Sequence, residues 1–544
     1  MAGPANNVIL IGSMGSGKTT VGRRLADRLG FEFVDTDRLI EREAGMSVDA
    51  IFRTRGERRF RALERRVIER VASQRNQVIA TGGGAILDPA NRARLHGSGL
   101  TTWLKASPEV MAKRLETVRD RPLLRGSDRV RTLQTLLKRR EPLYRRAAIH
   151  VDTSDATADR VVAEILARLR PAPRRVPVTS SQGKYHVEIG WGTLTRIGEQ
   201  VASLGRTGRA GVVTNPRVAG LYAKTVTASL RAAGLRPFLV TIPDGERYKS
   251  LRTASRIYDE LVRHRIERQD VLVALGGGVV GDLTGFVAAT YLRGLAYVHV
   301  PTTVVAQVDS SIGGKTGVDL PSGKNLVGAF HHPILVHADI ETLTTLPRRE
   351  FLSGMAEVIK YGMIRDEAFF AMLEEQTGAI LAKVPNVLAD VVRRSAEIKA
   401  EVVAQDEREA GLRRILNYGH TVGHVVETCT GYSRYRHGEA VAVGMHFAAR
   451  LAHVLERCSS DTVGRQRLLL TRFGLPVELP SLSVSRALRT MALDKKVKEG
   501  RIHFVLPSQV GRVTVDPVTP GQIRTVWQAK DIAKVRKDDI LNND

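Results

Sequence analysis

Cysteine is nearly absent from this chain: Cys429 and Cys458 are the only two among 544 residues, and they have no paired spacing. That excludes a disulfide framework and cysteine-based zinc sites, and it fits a reducing compartment. Aromatic residues are also scarce, at 5%. Segments that stack single-stranded nucleic acid would interleave aromatics with basic residues, and none does so here. No apolar run approaches the ~20 residues that a membrane helix needs. The first residues lack a charged-then-apolar signal pattern, since "VILI" is a short strand running into a glycine loop. These absences predict a cytoplasmic protein with small-molecule substrates and no membrane or nucleic-acid partner.

Positive charge is in excess: 83 Lys+Arg against 57 Asp+Glu give a formal charge of +26. The arginines are scattered through helical patterns and alternate with glutamate, as in "RGERRFRALERRVIER". Such patterning describes a solvated surface with several anion sites. The chain is too long for one core, and hydrophobic residues are spread throughout.

The rhythm of the chain predicts its architecture. Residues 1–170 alternate short apolar strands ("NVILIG", "QVIATGGG", "TTWLKA") with amphipathic helices, the pattern of a parallel α/β sheet. "RPAPRRVPV" then packs three prolines into a basic stretch, which predicts a linker over 171–177. Over 178–340 the strand–helix alternation resumes in a Rossmann-like manner, and over 341–544 long helical patterns dominate, with two strands ("RIHFVLP", "GRVTVDPV") near the end. Triple-glycine runs at 82–84 and 276–278 have different flanks and do not mark a duplication.

"GSMGSGKT" (Gly12–Thr19) matches G-x-x-x-x-G-K-[ST] between a strand and a helix. The backbone of Gly15, Ser16 and Gly17 would cradle phosphates, Lys18 reach the transferring group, and Thr19 and Thr20 complete the nucleotide site. "VDTD" places Asp35 and Asp37 at the carboxyl end of the second strand, where α/β sheets bind ligands. One carboxylate could hold Mg²⁺ and the other take a proton; helix N-capping explains them equally well on spacing alone.

Together with "FR" (60–61), "TGGGA" (81–85), "RPLL" (121–124) and "PLYRR" (142–146), these motifs make residues 1–170 resemble shikimate kinase. The resemblance implies ATP with Mg²⁺ on Thr19 and Asp35, and Arg114 against adenine. It implies Arg121 on a lid, and shikimate held by Asp37, Arg61, Gly83 and Arg145. A gluconate-type kinase would share the phosphate loop without this combination.

"LGGGVVGD" contains G-x-G-x-x-G after a strand, yet the acidic residue expected about twenty positions on is missing. "PDGERYK" (Asp244, Glu246, Lys249) is the best source of a ribose-reading carboxylate. The run "VDSSIGGKTGVDLPSGKNLVGAFHHP" makes a ligand-cradling loop. "GMAEVIKYG" sets Glu357 and Lys360 three apart on one helical face, where an ordinary salt bridge is the bland reading. "NYGHTVGH" and "RYRHGEA" add His420, His424 and His437. A carboxylate with histidines suits Zn²⁺ with an open position, and spacing alone would pair His420 with His424.

These motifs, with "YLRG", "PTT" and "DKK", make 178 to about 515 resemble 3-dehydroquinate synthase. The resemblance implies Zn²⁺ or Co²⁺ on Glu357, His420 and His437, with His424 facing substrate. It implies NAD⁺ on Glu246, Lys249, Gly277, Gly278, Val279, Gly281, Asp282, Thr302, Thr303 and Lys324. Substrate contacts would come from Arg293, Asp309, Lys315, Asn325, Lys360, Lys399, Arg413 and Asn417, and from Lys495 or Lys496. An acidic residue is expected after "VVT", where this chain has "NPR" (215–217). The whole then reads as a bifunctional shikimate-pathway enzyme, a phosphotransferase joined to a phosphate-eliminating lyase and dimeric through the second half. A metal-dependent polyol dehydrogenase is the alternative for that half.

Overall fold

The structure is a computed structural model that describes all residues except 1–6, 117–127, 170–171, 382, 433, 494–496, 499–500 and 530–544. Arg121, Lys495 and Lys496 therefore lie outside the described residues. The chain divides into two units, Met1–Arg170 with Gly378–Val384, and Pro171–Thr377 with Pro385–Asp544.

In the first unit, strands β1 (Asn7–Ile11), β2 (Glu32–Asp35), β3 (Gln77–Ala80), β4 (Gly99–Lys105) and β5 (Ile149–Asp152) form a parallel sheet in the order β2-β3-β1-β4-β5. β1 and β3 are buried along their whole length, as expected of central strands covered on both faces. Order along the chain reverses beside β1, so the loop after it opens at a crevice where ligands bind.

The second unit has a seven-stranded sheet built from β6 (Arg174–Ser180), β7 (Gly183–Gly190), β8 (Arg209–Thr214), β9 (Arg236–Thr241), β10 (Val271–Gly276), β11 (Ala296–Pro301) and a last strand, Leu335–Asp339. Between β11 and that last strand comes an antiparallel hairpin, β12 (Lys315–Leu320) with β13 (Gly323–Phe330), so the last strand is β14. The sheet order is β6-β7-β14-β11-β10-β8-β9, parallel except for β6 on β7. Along β10, Val271, Val273 and Leu275 enter one core while Leu272 and Ala274 enter the other. This is why "VLVAL" is a continuous apolar run. The switch point falls between β8 and β10, whose carboxyl ends carry Asn215 and Gly277.

From Arg348 the chain is mainly helical, closed by β15 (Val497–Lys498), β16 (Arg501–Gln509) and β17 (Arg512–Val518) in an antiparallel sheet. The expected fold class, a parallel-sheet kinase followed by a Rossmann-like domain and a helical region, is what the structure has.

One local expectation differs. The proline-rich stretch becomes strand from Arg174, with Val176 and Val178 buried. Pro177 is accommodated because β6 is an edge strand and needs no second partner. The long helix Pro385–Gln405 stops before "DERE", because the Asp406 carboxylate takes the backbone N–H groups of Ala410, Gly411 and Arg413. That offers the chain a turn in place of another helical one.

Candidate functional site

The first site is a cavity of about 590 Å³ lined by the phosphate loop from Gly15 to Thr20, by Asp35, Asp37, Gly83 and Arg114. Lys18 folds back to donate to the carbonyls of Gly12 and Ser13, each at 2.8 Å. Thr19 donates to Asp35 Oδ2 at 3.0 Å, while Oδ1 accepts from the N–H groups of Asp37 and Arg38. Asp35 is thus both helix cap and partner of the threonine, so its two readings are not exclusive. Arg114 spans to Thr153, reaching its hydroxyl at 3.1 Å and its carbonyl at 2.5 Å.

A narrower chamber shares Met14, Asp37 and Gly83 with this cavity and adds Phe52, Phe60, Arg61, Glu64 and Arg140. Arg61 is oriented by the buried Glu64 at 2.7 Å and by Glu57. Burial raises the Glu64 carboxyl above its usual range despite that guanidinium. Arg145 is not in the chamber. It projects to solvent, 68% exposed, and pairs with Glu141. Arg140 is there instead, donating to the Gly83 carbonyl at 3.1 Å, beside Tyr144 at 2.7 Å to the same oxygen. Residues 140 and 144 are one turn apart on the helix Arg129–Tyr144, whereas 145 lies about 140° round from 140. Helical phase therefore places Arg140, and not the expected Arg145, at the chamber.

The second site forms where three helices cross. Glu357 on Arg348–Arg365, His420 on His420–Cys429 and His437 on His437–Val454 bring ligand atoms within 4.8 Å of one another. Gly438 makes the crossing possible: a Cβ there would lie 1.8 Å from the Ser353 carbonyl. Glu357 is fully buried, and Lys360 ion-pairs with its Oε2, yet neither carboxylate oxygen has a hydrogen-bond partner among the described residues. Burial opposes its charge, but Lys360 and His420 hold the carboxyl well below the usual range. A buried carboxylate whose Oε1 faces the Nε2 atoms of His420 at 3.5 Å and His437 at 3.3 Å fits a divalent cation. His424 stands outside this group, its ring edge-on to His420 at 5.6 Å. In place of the i,i+4 pairing suggested by spacing, the structure groups His420 with residues of two other helices.

Around this group the charges are dense. Asp309 accepts from Tyr361 at 2.6 Å and from Lys399 at 2.5 Å. Burial works to raise its carboxyl, but Lys399 and Lys360 hold it well below the usual range. Lys315 pairs with Glu409, which also accepts from Asn417 at 2.6 Å. Lys249 bridges Asp282 at 2.6 Å and Asn325 at 2.5 Å. Lys324 lies 3.6 Å from Glu246 and 3.7 Å from Glu427. Gly277 approaches Thr303 closely, and the Thr302 N–H donates to the Gly276 carbonyl. At the switch point Asn215 caps its helix and donates to Asp244 at 3.0 Å. An acidic side chain, Asp244, therefore stands beside position 215, where the sequence has none. Arg293 is exposed and lies beyond the far end of the helix Gly278–Thr290, whose 13 residues span about 20 Å from the glycine motif, and within one chain it is not part of this cluster.

Sequence reasoning missed Tyr361, Glu409, Glu427 and Arg140. Glu427 is buried, is drawn down to about 2 by His437 against the effect of burial, and meets His437 Nδ1 at 3.4 Å. It lies seven residues after His420 on one helix face, a signal available in the sequence. A carboxylate in that place fixes the orientation of the His437 ring.

Comparison with known proteins divides along the same line. The family model for shikimate kinase matches residues 14–170. Those for the N-terminal and C-terminal parts of 3-dehydroquinate synthase match residues 239–353 and 354–497. A 3-dehydroquinate synthase of Pelobacter propionicus is 49% identical over 349 residues, covering 64% of this chain and 97% of its own length. Among solved structures, a 2-epi-5-epi-valiolone synthase from Streptomyces hygroscopicus with NAD⁺ and Zn²⁺ bound is 27% identical with a TM-score of 0.59. It covers 63% of this chain and 95% of its own. A 2-deoxy-scyllo-inosose synthase complexed with carbaglucose-6-phosphate, NAD⁺ and Co²⁺ is 26% identical, with TM-score 0.59 over 65% of this chain and 99% of its own.

Proposed function

This chain belongs to the 3-dehydroquinate synthase family and carries a shikimate kinase domain ahead of it, and from that premise we propose how its residues perform two reactions of aromatic biosynthesis. The first is ATP-dependent phosphorylation of shikimate to shikimate 3-phosphate. The second converts 3-deoxy-arabino-heptulosonate 7-phosphate to 3-dehydroquinate and phosphate. The observation that carries the second reading is the Glu357–His420–His437 group set one turn from Lys360.

We assign 1–170 to the kinase, 178–340 to NAD⁺ binding, and 341–544 to metal and substrate. In the kinase, Lys18 neutralises the transferring phosphoryl group, and Thr19 with Asp35 holds Mg²⁺. Arg61 and Arg140 converge on the chamber with a fork geometry suited to a carboxylate. Asp37, shared by both cavities, takes the proton of the attacking hydroxyl as its oxygen bonds to phosphorus and the bridging oxygen leaves with ADP.

In the synthase, Glu357, His420 and His437 would hold the metal. Lys249, Asp282, Lys324 and the Gly277–Gly281 turn would hold the dinucleotide. When bound, Zn²⁺ or Co²⁺ polarises a substrate hydroxyl and NAD⁺ carries hydride away and back, so phosphate leaves without net redox change. Lys315, Lys360, Lys399 and Arg413 surround the substrate with the positive charge that a phosphate and a carboxylate demand. Asp309 fixes the Lys399 ammonium, and His424 faces the reacting end.

A homodimer through the second half is part of this reading, supported by Leu326 and Phe330 lying exposed on β13. A cytoplasmic setting is supported by the unpaired cysteines, and among the described residues no helix is long and apolar enough to cross a membrane. Proton NMR of the product tests the synthase reading. Metal-loaded protein with NAD⁺ is expected to yield 3-dehydroquinate, and a chelator to stop it. A polyol oxidised with accumulating NADH would instead make the second half a dehydrogenase.

A further inference from the structure

Outside both sites lies a knot of hydrogen bonds at the turn joining β6 to β7. The Glu407 carboxylate accepts from the Ser181 N–H at 2.7 Å and from the Ser181 hydroxyl at 2.8 Å. His332 Nε2 lies 3.0 Å from the same carboxylate. Gln182 fastens the turn to the chain around His332, donating to the Phe330 carbonyl at 3.0 Å and accepting from the His332 N–H at 2.9 Å. The Glu407 carbonyl accepts from Arg413, whose other terminal nitrogen donates to the Gly313 carbonyl at 3.0 Å.

This knot grips the run that delivers Lys315. Gly313 and Gly314 have φ of +99° and +68°. A Cβ at the first would stand 2.5 Å from the Arg413 guanidinium, and at the second 2.7 Å from His332 Nε2. Both side chains are therefore pressed flat on the backbone just before Lys315. On the other side, Glu409 holds Lys315 and Asn417 together, two residues past Glu407. Asp406 ties the intervening loop to itself through three backbone N–H groups. Residues 406–413 thus form a strap anchored at Glu407, and the anchor is the first hairpin of the second unit.

We propose that Glu407, clamped by Ser181 and His332, is a positioning residue for the synthase. It fixes the strap so that Lys315, Arg413 and Asn417 meet the sugar phosphate in one arrangement. The clamp does not touch the reacting atoms; it removes the alternative loop geometries that a flexible strap would sample before binding. This inference rests on the synthase reading of the second half.

Full-length wild type, E407A, E407Q and S181A should be compared for phosphate release from 3-deoxy-arabino-heptulosonate 7-phosphate, NAD⁺ affinity, bound zinc and shikimate phosphorylation. E407A is expected to raise KM for the sugar phosphate by about 10-fold, about the net worth of one hydrogen bond lost from the ordering of the strap. E407Q still accepts from Ser181 and should stay close to wild type, whereas S181A, which removes the hydroxyl donor, should raise KM by about threefold. NAD⁺ affinity, zinc content and kinase rate should not change. Equal loss of NAD⁺ affinity and sugar-phosphate affinity would mean a merely structural anchor and would overturn the proposal. So would an unchanged KM in E407A, or in S181A should E407A fail to fold. Wild type that releases no phosphate would remove the synthase reading itself, and the proposal with it.

Discussion

Arg140 and Arg145 sit five residues apart, and only the first reaches Gly83. Replacing Arg140 by Met is expected to raise KM for shikimate by about 10- to 100-fold, the scale of a lost charge-assisted pair, while R145M stays near wild type. Steady-state kinetics at saturating ATP checks both. Lys399 gives a second prediction. Burial pulls its ammonium down to about 8 in spite of Asp309. It is charged below that pH and neutral above it, so KM for the sugar phosphate should climb as pH passes through 8. K399R, whose guanidinium keeps its charge, should flatten that climb between pH 7 and 9. The same shift has a stability sign. The unfolded lysine binds its proton more tightly, so the cost is full below about pH 8 and is relieved as pH rises toward 10.5. At this scale the motifs were legible wherever chemistry fixed residue type and spacing, as in Gly12–Thr19 or Glu357 with Lys360. They were not legible where two arginines of one helical stretch, Arg140 and Arg145, differ in helical phase, or where a partner such as Tyr361 or Glu409 completes a site from a distant segment.

Among the elements, the metal group depends on helices that approach closely because glycine stands at the crossing. Gly438 donates its N–H to the Ser353 hydroxyl at 3.0 Å, one turn before Glu357 on the facing helix. G438A must push that helix aside by more than an ångström. Zinc affinity should fall by about 10-fold or more, the size of effect seen when a ligand's support is lost. Equilibrium dialysis with metal analysis measures this, and unchanged zinc content would contradict it. Strands and helices were legible from their periods, including the continuous apolar run of β10 buried on both faces. The start of β6 was not, because three prolines in seven residues read as linker unless the sheet edge that accommodates them is known. Nor could i,i+4 spacing show that His420 takes its companions from two other helices, since that pairing is set by tertiary crossing and not by local period.

Across the whole molecule, each site draws its residues from one unit, so the two activities should separate cleanly. K18M should cut shikimate phosphorylation by about 100-fold or more while leaving phosphate release intact, and E357Q should do the reverse. The division into a kinase and a synthase was legible because each half carries many ordered motifs. What covers the apolar face of β13 and what use the +26 charge serves are written in surfaces, which a linear pattern does not order. The synthase half is expected to use a metal and NAD⁺ to expel phosphate with no net oxidation. The measurement that bears on it most directly follows phosphate release and absorbance at 340 nm together, with metal-loaded full-length protein, 3-deoxy-arabino-heptulosonate 7-phosphate and NAD⁺. Chelator-sensitive phosphate release with no lasting rise at 340 nm is the predicted result. Folded, metal-loaded protein that releases no phosphate, or that builds up NADH as it turns over, would contradict it.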